Sequence, residues 1–402
     1  MTRGWQAHTF ESAPLEIIDG DRGKEYPKQD EFFDDGYCLF LDAGNVTGDG
    51  FDFSDRHFIS EQKDQALRKG RLKREDVVLT TRGTIGNIGL FDENVPYENL
   101  RINSGMVILR AKPAELSPAY LYQYLRSAGF KGQVNSFRSG VAQPQLPIRD
   151  IKRIQIPIPP LNLQQRIADI LSAYDDLIEN NRRRTEVLEE AARQLYREWF
   201  VRLRFPGHEH TRIIDGVPEG WERKPLAELA DIVMGQSPES QFYNDVGEGL
   251  PFHQGVTDFG ERFVSHRIFC TANNRIAEAG DILCSVRAPV GRLNITLDKI
   301  VIGRGLAAIR SKHDNQSLLF QQLRSHFFKE DLIGAGAIFA SVTKKEFEAQ
   351  EIVTPTAMLA KAYEEVCRPI DEQLRVLFLQ NQKLRAARDL LLPRLMSGEI
   401  AV

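Results

Sequence analysis

The chain has 402 residues, 42% of them hydrophobic and 27% charged, which is material for two cores of ordinary size with additional helix. A net charge of −4 excludes a uniformly basic surface, so any nucleic-acid contact must come from local basic patches or be shared with a basic partner. No run approaches the roughly 20 apolar residues of a membrane span, the N-terminus has no apolar targeting segment, and Cys38, Cys270, Cys284 and Cys367 lie far apart; a cytoplasmic protein with reduced thiols and no membrane association is expected.

In chain order, residues 1–156 read as an α+β domain. Short β-like runs (Val77-Val-Leu-Thr-Thr81, Met106-Val-Ile-Leu109) alternate with Gly, Asn and Asp turns, and Pro118 to Ser127 reads as a short helix. Residues 157–205 read as one long helix. Pro157-Ile-Pro-Pro160 precedes it, and Asn162 with Gln165 resembles a capping box at its start. Apolar residues then follow at heptad spacing, with Ile167, Tyr174, Leu188 and Leu195 in one position and Leu163, Ile170, Leu177 and Ala191 in the other; Asn181 and Arg184 interrupt the seam. At about 1.5 Å per residue such a helix spans on the order of 60 Å. Pro206-Gly207 stops it.

Residues 206–353 read as a second α+β domain, with β-like runs Ile282-Leu-Cys-Ser-Val286 and Leu306-Ala-Ala-Ile309. Residues 354–402 read as a second long helix, reached through Thr354-Pro355-Thr356. It carries Tyr363, Ile370, Leu377, Leu384 and Leu391 at seven-residue spacing and is closed by Pro393 and Gly398.

The two halves are one unit written twice. Leu121-Tyr-Gln-Tyr-Leu-Arg-Ser127 recurs as Leu319-Phe-Gln-Gln-Leu-Arg-Ser325, five identities in seven at an offset of 198. Gly20 matches Gly235, Asp76 with Arg82 and Gly86 matches Asp281 with Arg287 and Gly291, Gly105 matches Gly305, and Leu188 matches Leu384. The offset falls steadily along the chain, from 216 at Gly4-Trp5 and Gly220-Trp221 to 196 in the helices, as a duplication with a few loop changes requires. A lone amphipathic helix of this length needs a partner for its apolar stripe. The expected arrangement is two globular domains separated by two antiparallel, coiled-coil-like helices about a pseudo-two-fold axis, which is how dimeric DNA readers present two equivalent faces to two half-sites.

The motifs in order, Ile156-Pro-Ile-Pro-Pro-Leu161, Gln164-Gln-Arg-Ile167, Asp175-Asp-Leu-Ile-Glu-Asn-Asn181 and Leu195-Tyr-Arg-Glu-Trp-Phe200 running into Phe205-Pro-Gly207, are similar to the specificity subunits of type I restriction-modification systems. So are Gly220-Trp-Glu222, Met234-Gly-Gln-Ser-Pro238, Ser285-Val-Arg-Ala-Pro-Val-Gly291 and Leu391-Leu-Pro-Arg-Leu395, whereas Thr354-Pro-Thr-Ala-Met358 lacks the Pro-Pro-Leu and Gln-Gln-Arg signature. The resemblance covers essentially the whole chain. It implies two target recognition domains, each reading one half of a split double-stranded DNA site, with the helices as ruler for the spacer. It also implies that the helices dock two adenine-methyltransferase subunits, joined by ATP-dependent restriction subunits. S-adenosylmethionine and ATP are then expected on those partners, with no cofactor in this chain.

Sequence offers no chemistry of its own. Asn94-Val-Pro-Tyr97 lacks the proline pair of a flipped-base motif and reads as a turn, no phosphate-binding Gly-rich loop occurs, and His208-Glu209-His210 sits in a connector without a third metal ligand. Trp5 and Trp221 read as core anchors, and Arg182-Arg183-Arg184 as a solvated helix face. The acidic balance leaves open a scaffold or adaptor that does not bind DNA.

Bases are read by Arg, Lys, Asn, Gln, Ser and Thr, while basic side chains and backbone amides hold phosphates. Such residues on Gly-rich loops are Arg22, Lys24, Thr81, Arg82, Thr84, Arg138, Ser139, Gln143 and Gln145 in the first domain. In the second they are Gln236, Ser237, Gln254, Arg287, Arg304, Ser341, Lys344 and Lys345. Arg82 and Arg287, shared by both repeats, suit phosphate positioning or a structural carboxylate partner; residues that differ between repeats suit base reading.

Overall fold

Each repeat builds the same antiparallel four-stranded sheet. In the first, strands Leu15–Asp19, Met106–Ala111, Val77–Thr80 and Ile88–Leu90 lie side by side in that order. In the second the order is Ala230–Met234, Leu306–Ser311, Ile282–Ser285 and Leu293–Ile295. The central strands Val77–Thr80 and Ile282–Ser285 are buried at every residue, hence their unbroken apolar and small side chains. A second sheet accompanies each, of three strands in the first repeat and five in the second, organised by a parallel pair: Cys38–Leu41 with Leu100–Ile102, and Leu250–His253 with Ile300–Ile302. Strand pairs Ala7–Thr9 with Gln155–Pro157 and Glu222–Pro225 with Glu351–Thr354 tie the two ends of each globular part together. This computed structural model describes residues 5–48, 50–137, 144–272, 274–327, 341–400 and 402.

The helices divide between two compact units. Met1–Glu179 with Gln382–Val402 forms one, and Asn180–Asn381 the other. The first long helix is Leu161–Tyr196, followed by a π turn at Arg197–Val201; the second is Ala357–Met396. Each globular part is thus compact with a stretch of both helices, whereas the sequence divides the chain into four successive segments.

In the first unit, Ile167, Ala168 and Leu171 share a core with Leu392, Leu395 and Met396 and with sheet residues such as Val107 and Leu109. Asp175 accepts from Gln123 Nε2 (2.9 Å), Arg388 Nη1 (2.8 Å) and Arg126. In the second unit, Tyr363 donates its hydroxyl to the Ala192 carbonyl (3.2 Å), and Arg262 lies between Glu189 (3.4 Å) and Asp371. Within each unit, numbers rise along one helix as they fall along the other, so the two stretches run antiparallel.

The seam itself differs from the expected one. Ile167, Tyr363 and Leu377 are buried, and Tyr174, Leu188, Leu195, Ile370, Leu384 and Leu391 are half-buried. Leu163 is half-buried, but Ile170 (37% exposed), Leu177 (51%) and Ala191 face solvent. The second seam position falls one residue later, at Leu171, Ile178 and Ala192, of which Leu171 and Ala192 are fully buried. Counting from Ile167, the heptad step is four and then three, not three and then four, and adjacent apolar pairs at 170–171 and 177–178 satisfy either count. Asn181 belongs to the seam and Arg184 is exposed off it.

The capping box does not form. The first long helix begins at Leu161, so Asn162 lies inside its first turn, and the Pro160 carbonyl accepts from Leu163 N (2.9 Å) and Gln164 N (3.1 Å). Gln164 caps a different helix: its Oε1 accepts from Ser117 N (2.8 Å) at the start of Pro118–Arg126, while Nε2 donates to Glu115 O and Pro159 O. Glu364, seven residues into its own helix, does the same for Gln316–Phe327 by accepting from Ser317 N (3.1 Å), Ser317 Oγ (2.8 Å) and Leu318 N (3.3 Å). Pro393 does not stop the second helix, which continues to Met396. Trp221 is buried with Phe205 and Leu359, and Trp5 packs on the first core.

Candidate nucleic-acid interface

A hydroxyl at the end of the central strand fixes one turn in both repeats. Thr80 Oγ1 donates to Thr84 O and accepts from Asn87 N (3.0 Å). Ser285 Oγ donates to Pro289 O (2.5 Å) and accepts from Arg292 N (2.9 Å). Gly86 and Gly291 sit in this turn at φ +92° and +87°, a region that penalises any Cβ. The turn lifts Arg82 and Arg287 into solvent, where neither side chain makes a hydrogen bond or ion pair among the described residues. No described carboxylate pairs with either arginine. The shared carboxylate pairs lie elsewhere: Arg110 grips Asp76 through Nε and Nη2 (2.8 and 2.7 Å), and Arg310 grips Asp281 in the same way (2.7 and 3.0 Å).

Around the turn in the first unit, backbone contacts collect several candidates. A Cβ on Gly20 would sit 2.2 Å from Asn103 O, so only glycine lets this strand end approach the turn at 103–105. Arg22 Nη2 then reaches Ser104 O (3.3 Å) and Asp19 (3.2 Å). Gly105 O accepts from Thr81 N (2.8 Å) and Arg82 N (3.2 Å), and Gln145 bridges to Arg82 across the sheet end. Thr81 is a correction: it is buried, with its hydroxyl donated to Gly105 O (2.9 Å), and cannot reach a base. Thr84 is exposed, although its hydroxyl donates to Ala43 O (3.1 Å). Beside Arg22, the Asp21 carboxylate is pushed up by burial, but backbone donors at Gly23, Arg68 and Lys69 outweigh this and hold it below the usual range.

The second unit repeats the scaffold with other side chains. A Cβ on Gly235 would meet Gly303 O at 2.1 Å. Gln236 N donates to Ile302 O (3.0 Å), Ser237 Oγ donates to Gln254 Oε1 (2.8 Å) and accepts from Arg304 N (3.2 Å), and Gly305 N donates to Gln254 O (3.2 Å). Val286 N bonds Gly305 O (2.9 Å), and Arg287 bridges to Ser341 as Arg82 does to Gln145. Gln236, Ser237, Gln254, Arg287, Arg304 and Ser341 thus share one end of the sheet.

Others stay apart from these contacts. Lys24 is exposed, Lys344 pairs with Glu348 (3.4 Å) on the short helix Lys344–Glu348, and Lys345 is exposed on the same helix. Arg138, Ser139 and Gln143 lie outside the described residues. Sequence reading overlooked Ser104, although aligning Gly105 with Gly305 sets it opposite Arg304.

Behind Gln254 lies a chain of polar groups that sequence did not suggest. Asp298 Oδ2 can only accept, so it takes the Nε2 proton of His266 (2.9 Å), and His266 Nδ1 accepts from His253 Nε2 (3.0 Å). His253 Nδ1 is left buried without a partner. Burial, and secondarily His266, hold the His253 pKa down to about 4. Among the described residues no group of side chains could hold a metal ion, and no helix is long and apolar enough to cross a membrane.

The two duplicated cores thus carry like-built turns with different polar neighbours. Residues 15–190 and 218–358 each match the family model of the type I restriction modification DNA specificity domain, and the chain belongs to that family, the non-catalytic DNA-recognition subunits of type I restriction-modification systems. A putative type I restriction enzyme MjaX specificity subunit from Methanocaldococcus jannaschii is 31% identical over 369 residues, covering 89% of this chain and 86% of the relative. The type I restriction enzyme HindI specificity subunit from Haemophilus influenzae is 22% identical over 459 residues, covering 95% and 98%. A crystal structure of a type I restriction-modification system S subunit from M. genitalium shares the fold at a TM-score of 0.60 and 16% identity, covering 97% of this chain and 96% of that one. Family membership removes the ground for the adaptor reading.

Proposed function

We propose that each globular part, 1–156 and 206–353, reads one half of a bipartite double-stranded DNA site, and that the helices 157–205 and 354–402 set the spacer and dock two adenine-methyltransferase subunits. ATP-dependent restriction subunits join that complex, and S-adenosylmethionine and ATP bind the partners. The observation that supports this reading is an exposed arginine, Arg82 or Arg287, on the same hydroxyl-pinned turn of two homologous cores, each surrounded by different polar side chains. A shared cation suits the uniform phosphate backbone, and differing neighbours suit two different base sequences.

The ruler is tested by lengthening both helices together. Seven residues added beside Asn181 and seven beside Asn381 preserve the heptad seam and add about 10 Å of helix, or roughly three base pairs at ~3.4 Å each. A map of methylated adenines should show the spacer longer by that amount with both half-sites unchanged. An unchanged spacer would contradict the assignment.

A further inference from the structure

In both repeats the residue two places past the close-approach glycine bonds the backbone of the facing turn, through a carbonyl in the first and an amide in the second. In the first repeat the position two residues past the close-approach glycine is Arg22, and it reaches the carbonyl of Ser104 (3.3 Å). In the second repeat the same position is Ser237, and its hydroxyl accepts from the backbone of Arg304, which occupies the place of Ser104 (3.2 Å). One hydroxyl residue and one guanidinium residue are present each time, but the strand end delivers the arginine in one domain and the facing turn delivers it in the other. Each domain therefore presents a shared arginine, Arg82 or Arg287, and a transposed one, Arg22 or Arg304.

We infer that Arg22 and Arg304 are specificity-determining residues, each reading a guanine of its own half-site, while Arg82 and Arg287 hold phosphate; this rests on the DNA-recognition reading above. Two domains on one polyanion need the same phosphate grip, so the groups held constant serve affinity. Two different sequences need different donor positions, so the transposed groups serve selection. Arg304 is exposed and makes no hydrogen bond or ion pair through its guanidinium among the described residues. Beside it the Ser237 hydroxyl occupies Gln254 Oε1, which turns the Gln254 amide into a donor. An array of donors matches the O6 and N7 acceptors that guanine shows in the major groove. In the first domain the position of Gln254 is Asp42, whose Oδ1 accepts from Gly44 N (2.6 Å) and Asn45 N (3.3 Å) in its own turn and which has no proton to donate, leaving Arg22 as the donor. Arg22 also touches Asp19 (3.2 Å), a half-exposed pair too weak to hold it from a base edge.

The test is selection of DNA from a randomised duplex pool by the full chain together with the methyltransferase subunits that copurify with it. Lysine keeps the charge but not the planar fork, so it separates the two roles. Arg22→Lys and Arg304→Lys should each lower discrimination about tenfold at one guanine of one half-site, leaving the other half-site intact. Arg82→Lys and Arg287→Lys should retain the whole motif, and Arg287→Ala should weaken binding to all sequences alike with a shallower salt dependence. If Arg304→Lys melts early, the exchanged variant Ser237→Arg with Arg304→Ser, which installs the residue pair of the first repeat, should lose the same guanine. An unaltered motif in folded Arg22→Lys and Arg304→Lys, or an altered motif in Arg287→Lys, overturns the inference while leaving the two-domain reading standing. A wild-type complex that enriches no motif overturns both.

Discussion

Asn181 Nδ2 donates to Asn381 Oδ1 across 3.0 Å, side chain to side chain, within the seam of the long helices. Both residues occupy heptad positions that elsewhere hold Ile167, Leu171, Leu374 or Leu377, all fully buried. A single carboxamide pair in such a seam fixes register, because any slip leaves both amides facing apolar side chains.

Asn181→Leu alone removes the donor to Asn381 Oδ1 and should cost about 1–3 kcal/mol, as should Asn381→Leu. The double variant should recover most of the loss. A thermal or denaturant double-mutant cycle reads the coupling, and strictly additive single losses would show that the pair carries none.

Acid sensitivity should follow Asp175. Burial pushes its carboxyl up, but Arg126, Gln123 and Arg388 outweigh this and hold it below the ordinary 3.8. A depressed carboxylate contributes stability that is complete above the unfolded value and lost as pH falls through the folded one. Asp175→Asn should lower stability at pH 7 by roughly 2 kcal/mol and flatten the decline below about pH 4. Melting curves across that range check both.

His253 works in a higher window. With its folded pKa near 4 against 6.5 unfolded, the neutral ring is favoured by the fold. Its contribution is full above 6.5 and is lost as pH falls from 6.5 towards 4, at up to about 1.4 kcal/mol per pH unit. His253→Leu, which installs the residue found at the matching position Leu41, should remove that part of the pH dependence. Equal pH slopes in variant and wild type would contradict the assignment.

The shared ion pairs should affect folding and not selection. Arg110 is 23% exposed and Arg310 49%, so Asp76→Ala should cost more, about 2–3 kcal/mol, than Asp281→Ala, about 1 kcal/mol. Neither should change the recognised motif in the selection experiment.

The duplication and the central strands were legible because buried strands such as Val77–Thr80 and Ile282–Ser285 need unbroken runs of apolar and small residues. One seam position was legible too, since Ile167, Tyr174, Leu188 and Leu195 recur at multiples of seven and all are buried or half-buried. The other was not. Ile170 beside Leu171 and Leu177 beside Ile178 leave the register to the partner helix, and its true members include Thr185 and Ala192, which carry little apolar signal. Gln164 and Glu364 escaped notice because their partners at Ser117 and Ser317 are 47 residues away. Among interface residues, a loop position could be guessed, but Thr81 and Arg82 look alike in sequence. Only the fold turns the first inward and the second out.

If the proposed function holds, each globular part selects one half-site independently of the other. Replacing residues 1–156 with the matching domain of another specificity subunit, and mapping the adenines methylated by the resulting complex, measures this directly. One half-site should change to that of the donor while the other half and the spacer stay as they were. A hybrid in which both halves change, or neither does, would contradict it.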